Sequence, residues 1–331
     1  MKRQQIIVIA LTALAVWIAA LLLMPAYPPL NTVVEVPVGA SAGLVARDLA
    51  KAGAVRSAFA FRLAARLTGQ TGSIKAGDYE VPPGLNALQT LSLLVSGKSL
   101  MHKFLVREGL SAAQIATLLE QQGLGRAIKF MAVVKDPSLA AQMKVPGPTL
   151  EGYLFPDSYF LARGMSEAAI AEMMVLRFHQ RVPPELLAQG HAIRLDARQV
   201  MTMASVIEKE AKADKERPIV SAVFRNRMKQ KKRLESCATV RYAINKWTGP
   251  LYNKDLLAKS PYNTYQNFGL PPGPICSPGL ASIQAALHPV PTDALYFVVA
   301  GDGTHIFSKT YEEHLAAKAR WKKMKKGIAE E

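Results

Sequence analysis

The stretch Asp196–Ala213, with the sequence DARQVMTMASVIEKEAKA, carries a helical pattern over several turns. Asp196 is a favourable N-cap, and apolar side chains recur on one face after it, at Val200, Met203, Ala204, Ile207 and Ala211. We therefore predict one amphipathic helix over Asp196–Ala213, with its apolar face in the core of a folded domain.

Two glutamates, Glu208 and Glu210, lie on opposite borders of this apolar face. A carboxyl at such a border loses hydration, which favours its neutral form and raises its pKa toward the range useful for a general acid. The same residues also suit an exposed surface with ordinary helical ion pairs. Periodicity alone does not choose between a catalytic acid and a solvated face, nor between the two glutamates.

Downstream of this helix, the segment Tyr262-Asn263-Thr264-Tyr265 precedes a loop rich in Pro and Gly, GLPPGPICSPG over residues 269–279. So many Pro and Gly residues exclude a helix or a central strand and predict a rigid irregular loop. Rigid loops that carry aromatic and polar side chains suit sugar binding.

Upstream, a pattern of strand, Gly turn and short helix recurs three times, starting at Val36, Val81 and Val106. In each copy a Ser or Asn follows the turn Gly by two residues and is placed to cap a helix that a later Gly closes. We predict three β-turn-α units that pack on one another or on the rest of the chain. They resemble LysM modules, which bind N-acetylated sugars of cell walls, although a positioning platform that binds no sugar has the same pattern.

These patterns predict an α+β protein with several regions. We assign a LysM-like region to residues 31–104, a linking β-turn-α and helical region to 105–147, and a mixed catalytic domain to 148–331. The last boundary follows the helix-breaking segment Val145-Pro146-Gly147-Pro148.

The N-terminal segment predicts a single membrane anchor. An uncharged run over residues 6–24 is long enough to cross about 30 Å of hydrocarbon as a helix. Because Lys2 and Arg3 precede it, residues 1–5 are expected in the cytoplasm and the long C-terminal body on the far side of the membrane. A cleaved signal peptide is the alternative, and its apolar region is usually shorter. Both interpretations export the body.

Composition narrows the partners further. The net charge is +16, but an exported body makes nucleic acid a poor partner. The two cysteines, Cys237 and Cys276, would be free to form one disulfide in an oxidising compartment, if they are close enough. The six histidines show no zinc-binding spacing, so no metal site is predicted.

Several of these motifs together resemble the endolytic murein transglycosylase family, also called YceG-like. The resemblance rests on the order of motifs along nearly the whole chain: Phe155-Pro156-Asp157, MASVIEKE over residues 203–210, Tyr262–Tyr265, GLPPG over 269–273, His288-Pro289 and Tyr296-Phe297-Val298. It implies an enzyme of the inner membrane, with its body in the periplasm. Such an enzyme cleaves the β-1,4 bond from N-acetylmuramic acid to N-acetylglucosamine in nascent glycan strands and forms 1,6-anhydro ends without water.

The resemblance also implies roles for individual residues. It assigns the catalytic acid to Glu208, the first Glu of Ile-Glu-Lys-Glu, and one glutamate suffices if the sugar's own 6-hydroxyl attacks. Tyr262, Asn263 and Tyr265 are candidates for substrate binding. Auxiliary groups are expected among Glu151, Asp157 and Glu235.

The family implies no cofactor or metal, and its expected partners are peptidoglycan strands and the cell-wall synthases. One segment departs from the family pattern. Glu235–Val240 lacks an Asp and a Pro found in relatives and has Cys237 instead, so any role of that Asp is in doubt. A non-catalytic wall-binding scaffold for the synthases is the alternative function.

Overall fold

The computed structural model describes residues 2–28, 30–300 and 303–328, without the side chains of Lys2 and residues 324–328. Met1, in the predicted cytoplasmic segment, and residues 329–331, at the end of the predicted catalytic domain, lie outside the described residues. Within that part of the chain the protein is mixed α+β, as predicted.

Helices make up most of the regular structure. They are α1 (Lys2–Leu23), α2 (Ala42–Lys51), α3 (Ala58–Leu67), α4 (Ala87–Ser96), α5 (Ala112–Gln121), α6 (Ala127–Val134), α7 (Pro137–Gln142), α8 (Glu167–Arg181), α9 (Pro184–Ala188), α10 (Ala197–Glu210), α11 (Arg217–Lys229), α12 (Cys237–Ala243), α13 (Leu280–Leu287) and α14 (Tyr311–Ile328). Short 3₁₀ turns cover Gln189–Ile193, Asp214–Glu216 and Asp255–Leu257.

The strands form small two-stranded sheets. They are β1 (Thr32–Val36), β2 (Gly77–Val81), β3 (Met101–Leu105), β4 (Ser158–Ala162), β5 (Tyr296–Val299) and β6 (His305–Ser308), paired as β1–β2, β3–β4 and β5–β6. The β1–β2 pair is antiparallel with Val34 opposite Tyr79, and the β5–β6 pair is antiparallel with Val299 opposite His305.

The chain divides into two compact units. One contains the chain up to Phe104 with Glu120–Gly125 and Tyr159–Ser166; the other contains Leu105–Leu119, Arg126–Ser158 and the chain from Glu167 onward. The predicted boundaries at 104/105 and 147/148 stay predictions, and we note that residues 126–158 belong to one compact unit in the structure.

The core of the first unit lies between its helices and the β1–β2 sheet. Its largest fully buried members are Phe61, Tyr79, Leu49, Leu91 and Leu94. Helix α1 is long and apolar enough over Arg3–Leu23 to cross a membrane, and this is consistent with a single-pass anchor. Leu22, near its end, belongs to the same core cluster, so α1 contributes to the packing of this unit.

The three predicted β-turn-α patterns are confirmed as strand, turn and capped helix. Ser41 accepts a hydrogen bond from Leu44 N, Asn86 and Gln89 form a capping box, and Ser111 accepts one from Gln114 N. The turn residues Gly39, Gly84 and Gly109 all have positive φ. The resemblance of these units to LysM modules stays a prediction.

In the second unit, α10 is the central helix. All residues from Val200 to Ile207 are buried, and α13 and α11 pack against it. The Pro- and Gly-rich loop lies along the same helix, where Ile275 N donates to Ser205 Oγ at 3.0 Å. This packing buries the middle of α10, so its charged side chains lie at the two ends, with Glu208, Lys209 and Glu210 at the C-terminal end.

Candidate active site

Helix α10 begins as predicted, with Asp196 and Gln199 in a capping box, but ends at Glu210 rather than Ala213. Ala211 has extended backbone angles, φ −81° and ψ 122°, and the next turn starts at Asp214. Glu210 is therefore the last helical residue, at the point where the chain leaves the helix.

A cavity of about 500 Å³ opens at this end of the helix. Its walls combine acidic, basic and aromatic side chains from α10, α11, α14, the β5–β6 hairpin and the loop that carries Tyr265, among them Glu210, Tyr265, Tyr296 and His305, with Cys237 from α12. Clefts of this size that mix aromatic faces with a few polar groups are typical of ligand sites. Glu210 lines this cavity, whereas Glu208 is not among its lining residues.

The Glu210 carboxyl is held by neutral hydrogen-bond donors at the start of α12. Ser236 Oγ donates to Glu210 Oε1 at 2.5 Å, and Ala238 N lies 3.5 Å from the same oxygen. Burial raises the pKa of Glu210, and the bonds from Ser236 and Ala238 offset only part of this rise. Glu210 is thus suited to carry a proton and to give it to a bound ligand.

The Glu208 carboxyl has different surroundings. Oε2 accepts a hydrogen bond from Gly279 N at 3.0 Å, and Oε1 lies 3.5 Å from Arg217 Nη2. Both side chains of this ion pair are nearly buried, at 7% and 8% exposure. Because Gly279 is the N-cap of α13, the carboxylate also faces the positive end of that helix. These contacts suit a charged group that ties α10, α11 and α13 together.

Glu108 is a further acidic side chain beside this ion pair that sequence reasoning did not single out. A Cβ on Gly279 would lie 2.0 Å from Glu108 Oε1, so the carboxyl is packed directly against that glycine. Burial, and then the neighbouring Glu208, raise the pKa of Glu108. The sequence signal for Glu108 is its position in the turn of the third β-turn-α unit.

The predicted substrate-binding tyrosines lie in different places. Tyr265 lines the cavity, where its hydroxyl is 3.2 Å from Cys237 Sγ. Tyr262 is half-buried against Tyr242, with ring centroids 4.8 Å apart, and is not among the residues that line the cavity. The structure therefore brings Tyr265, but not Tyr262, together with Glu210.

Asn263, predicted as a sugar-binding candidate, makes contacts that hold the loop. It is completely buried, and its Nδ2 donates to the carbonyls of Leu256 at 2.9 Å and Ala258 at 2.8 Å. Its Oδ1 accepts from Tyr265 N at 3.0 Å. Both N–H groups of the amide are used, and Oδ1 accepts from Tyr265 N, so Asn263 fixes the backbone that carries Tyr265.

The three candidates for auxiliary groups also lie in different places. Glu235 lines the cavity and pairs with Arg227, whereas Asp157 pairs with Arg177 Nε at 2.6 Å elsewhere in this unit. Glu151 is buried away from the residues that line the cavity. It accepts hydrogen bonds from Ala112 N at 3.0 Å and Tyr242 Oη at 3.2 Å, and burial raises its pKa to about 7.

The cysteines form no disulfide in the described structure. Cys276 is buried and lies 3.3 Å from Ser205 O, while Cys237 is exposed and faces Tyr265. The bridge considered from sequence is therefore absent, because the two thiols contact different elements.

Comparison with known proteins defines the family. Residues 34–320 match the model of the YceG-like family, and the protein therefore belongs to that family. A protein of Bacillus subtilis (strain 168) named endolytic murein transglycosylase is 33% identical over 304 residues, which cover 87% of this chain and 84% of that protein.

Two further relatives extend the comparison. The endolytic murein transglycosylase of Streptococcus pneumoniae serotype 2 (strain D39 / NCTC 7466) is 27% identical over 85% of this chain, which spans only 56% of that protein. A YceG-like protein of Listeria monocytogenes, solved by crystallography at 2.6 Å, superposes with a TM-score of 0.60 and 31% identity. That match covers 87% of this chain and 99% of the Listeria chain.

Proposed function

We propose that this protein is a peptidoglycan lytic transglycosylase that cleaves nascent glycan strands internally. The relatives from B. subtilis and S. pneumoniae are named endolytic murein transglycosylases, and the first aligns with most of both chains. The reaction would break the β-1,4 bond after N-acetylmuramic acid and leave a 1,6-anhydro end. Cleavage of this kind would terminate strand elongation.

We further propose that Glu210, rather than Glu208, is the general acid. The observation that carries this choice is that Glu210 lines the large cavity with neutral donors on its carboxyl, while both Glu208 oxygens are bound by Gly279 N and Arg217. A general acid must hold a proton near neutral pH, and burial raises the pKa of Glu210 in that direction. The assignment of Glu208 from the family resemblance stays the alternative.

The chemistry requires one proton donor and no activated water. The 6-hydroxyl oxygen of the muramic acid forms a bond to C1, the bond from C1 to the glycosidic oxygen breaks, and that oxygen takes the proton of Glu210. A hydrolase instead needs a second carboxylate to act as nucleophile or to activate water. In the simplest form of the reaction, the Glu210 carboxylate then accepts the proton of the attacking hydroxyl.

The remaining parts of the proposal concern substrate and location. Tyr265 and Tyr296 offer aromatic faces in the cavity, and we propose that they stack on sugar rings. Lys2 and Arg3, at the start of α1, support an N-terminus in the cytoplasm and a body in the periplasm, beside the cell-wall synthases whose strands it would cut. Sugar binding by the LysM-like region belongs to the same proposal.

The test is to digest purified glycan strands with the full-length protein in detergent and to weigh the products by mass spectrometry. Anhydro-ended fragments are expected. Reducing ends would instead identify a hydrolase. No cleavage by a folded protein, under conditions in which a known lytic enzyme works, would favour the wall-binding scaffold.

A further inference from the structure

His305, which lines the same cavity as Glu210, forms a buried pair with Glu216. His305 Nδ1 is 2.7 Å from Glu216 Oε2, and the backbone N–H of His305 donates to Glu216 Oε1 at 2.8 Å. Both side chains are nearly buried, at 5% and 6% exposure. Two bonds to one carboxylate fix both the position and the orientation of the imidazole ring.

This pairing determines which ring nitrogen is available. An ionised carboxylate only accepts hydrogen bonds, so His305 Nδ1 carries a hydrogen and donates a hydrogen bond to Glu216. Nε2 is then left with a lone pair, as in the histidine of a carboxylate–histidine–nucleophile triad, which takes a proton from a hydroxyl.

The position of the pair relates it to the general acid. His305 and Glu210 both line the cavity, and the positive form of His305 is close enough to act electrostatically on Glu210. Glu216 follows Glu210 by six residues, on the 3₁₀ turn after α10. A short segment thus places the acid and the partner of the imidazole at one site.

We propose that His305, oriented by Glu216, is the base that removes the proton of the attacking 6-hydroxyl. As the hydroxyl oxygen bonds to C1, its proton passes to Nε2, and the bond from C1 to the leaving oxygen breaks as that oxygen takes the proton of Glu210. Transfer of the proton from Nε2 back to Glu210 restores the resting state. Protons and electrons balance without water or any other reactant.

This inference rests on the proposed function and divides its proton transfers between two groups. Besides Glu210 and His305, the titratable and charged groups that line the same cavity are Arg227, Glu235, Cys237, Tyr265, Tyr296, Tyr311, His314 and Lys318, and Glu216 contacts His305 from behind this lining. Of these groups His305 alone has its ring held by a buried carboxylate on both Nδ1 and its backbone N–H in the described structure.

The test compares the full-length wild type with His305→Gln, Glu216→Gln and His179→Gln on glycan strands, measuring kcat, KM and the pH dependence of kcat. His179 is the matched control, because its Nε2 bonds to Met143 O at 2.8 Å outside the cavity. A base of this kind contributes about 10²- to 10⁴-fold. We therefore expect kcat of His305→Gln to fall by at least about 100-fold with KM within about threefold.

The pH dependence separates a base from a structural residue. A protonated imidazole cannot accept a proton, so wild-type kcat falls on the acid side. His305→Gln abolishes that limb. Glu216→Gln keeps the imidazole but removes the carboxylate that orients it, so kcat falls while KM stays within about threefold of wild type. If His305→Gln does not fold, Glu216→Gln still tests the inference, because it retains the imidazole and removes its carboxylate partner.

Other results would contradict either the inference about His305 or the proposed function. A kcat of His305→Gln within tenfold of wild type, or an acid-side limb that His305→Gln leaves in place, overturns the inference. Wild-type products without anhydro ends refute the proposed function itself. Anhydro ends from the wild type beside an unaffected His305→Gln leave that function standing with Glu210 as acid and base.

Discussion

Replacement of Asn263 by alanine tests whether this residue holds the loop or binds sugar. The side chain is fully buried and makes three hydrogen bonds, to Leu256 O, Ala258 O and Tyr265 N. At about 0.5–1.5 kcal/mol each, their loss lowers the free energy of unfolding by about 1.5–4.5 kcal/mol. The exposed Asn267 is the control: its Nδ2 bonds to Ser260 O and Asn263 O, both at 2.9 Å, where water competes, and we expect a loss below about 1 kcal/mol.

Guanidinium unfolding of the full-length protein in detergent, followed by tryptophan fluorescence, measures both variants. Trp247 lies in the same compact unit as the loop and reports on its unfolding. The reasoning is refuted if Asn263→Ala unfolds within about 0.5 kcal/mol of wild type while its KM for glycan strands rises. That outcome would assign Asn263 to substrate binding.

Three further predictions follow from single contacts. Gly152→Ala places a Cβ 2.3 Å from Pro274 Cβ at a φ of +88°, so it lowers the free energy of unfolding by more than about 2 kcal/mol, measured by the same denaturation. Ser236→Ala removes a bond that favours the carboxylate of Glu210, so its pKa rises further and the alkaline limb of kcat/KM moves to higher pH. Burial raises the pKa of Glu151 to about 7, above its unfolded value, so the stability from its proton is complete at low pH and is lost as pH rises through 7; Glu151→Gln removes this dependence from unfolding measured at pH 5 to 8.

Local signals predicted much of the fold correctly. Asp196, Asn86 and Ser111 cap their helices as expected, because capping depends on residues within one turn. The end of α10 was predicted three residues too late, since the residues after Glu210 include no Gly or Pro stop signal.

The site was harder to predict because its parts are distant in sequence. The helical wheel places Glu208 and Glu210 equally, and only the contacts with Arg217 and Ser236 separate them. Asn263 in a polar loop looked like a ligand-binding residue until its buried bonds were known. His305 carries no motif, and its role depends on Glu216, 89 residues away.

The central claim is that Glu210 supplies the proton in glycan cleavage. Its most direct test digests purified strands with full-length wild type, Glu210→Gln and Glu208→Gln, all shown to be folded, and quantifies anhydro-ended products by mass spectrometry. We predict that Glu210→Gln lowers the rate by at least about 100-fold while folded Glu208→Gln still forms anhydro ends. Loss of product with Glu208→Gln and its persistence with Glu210→Gln would contradict the account and assign the acid to Glu208.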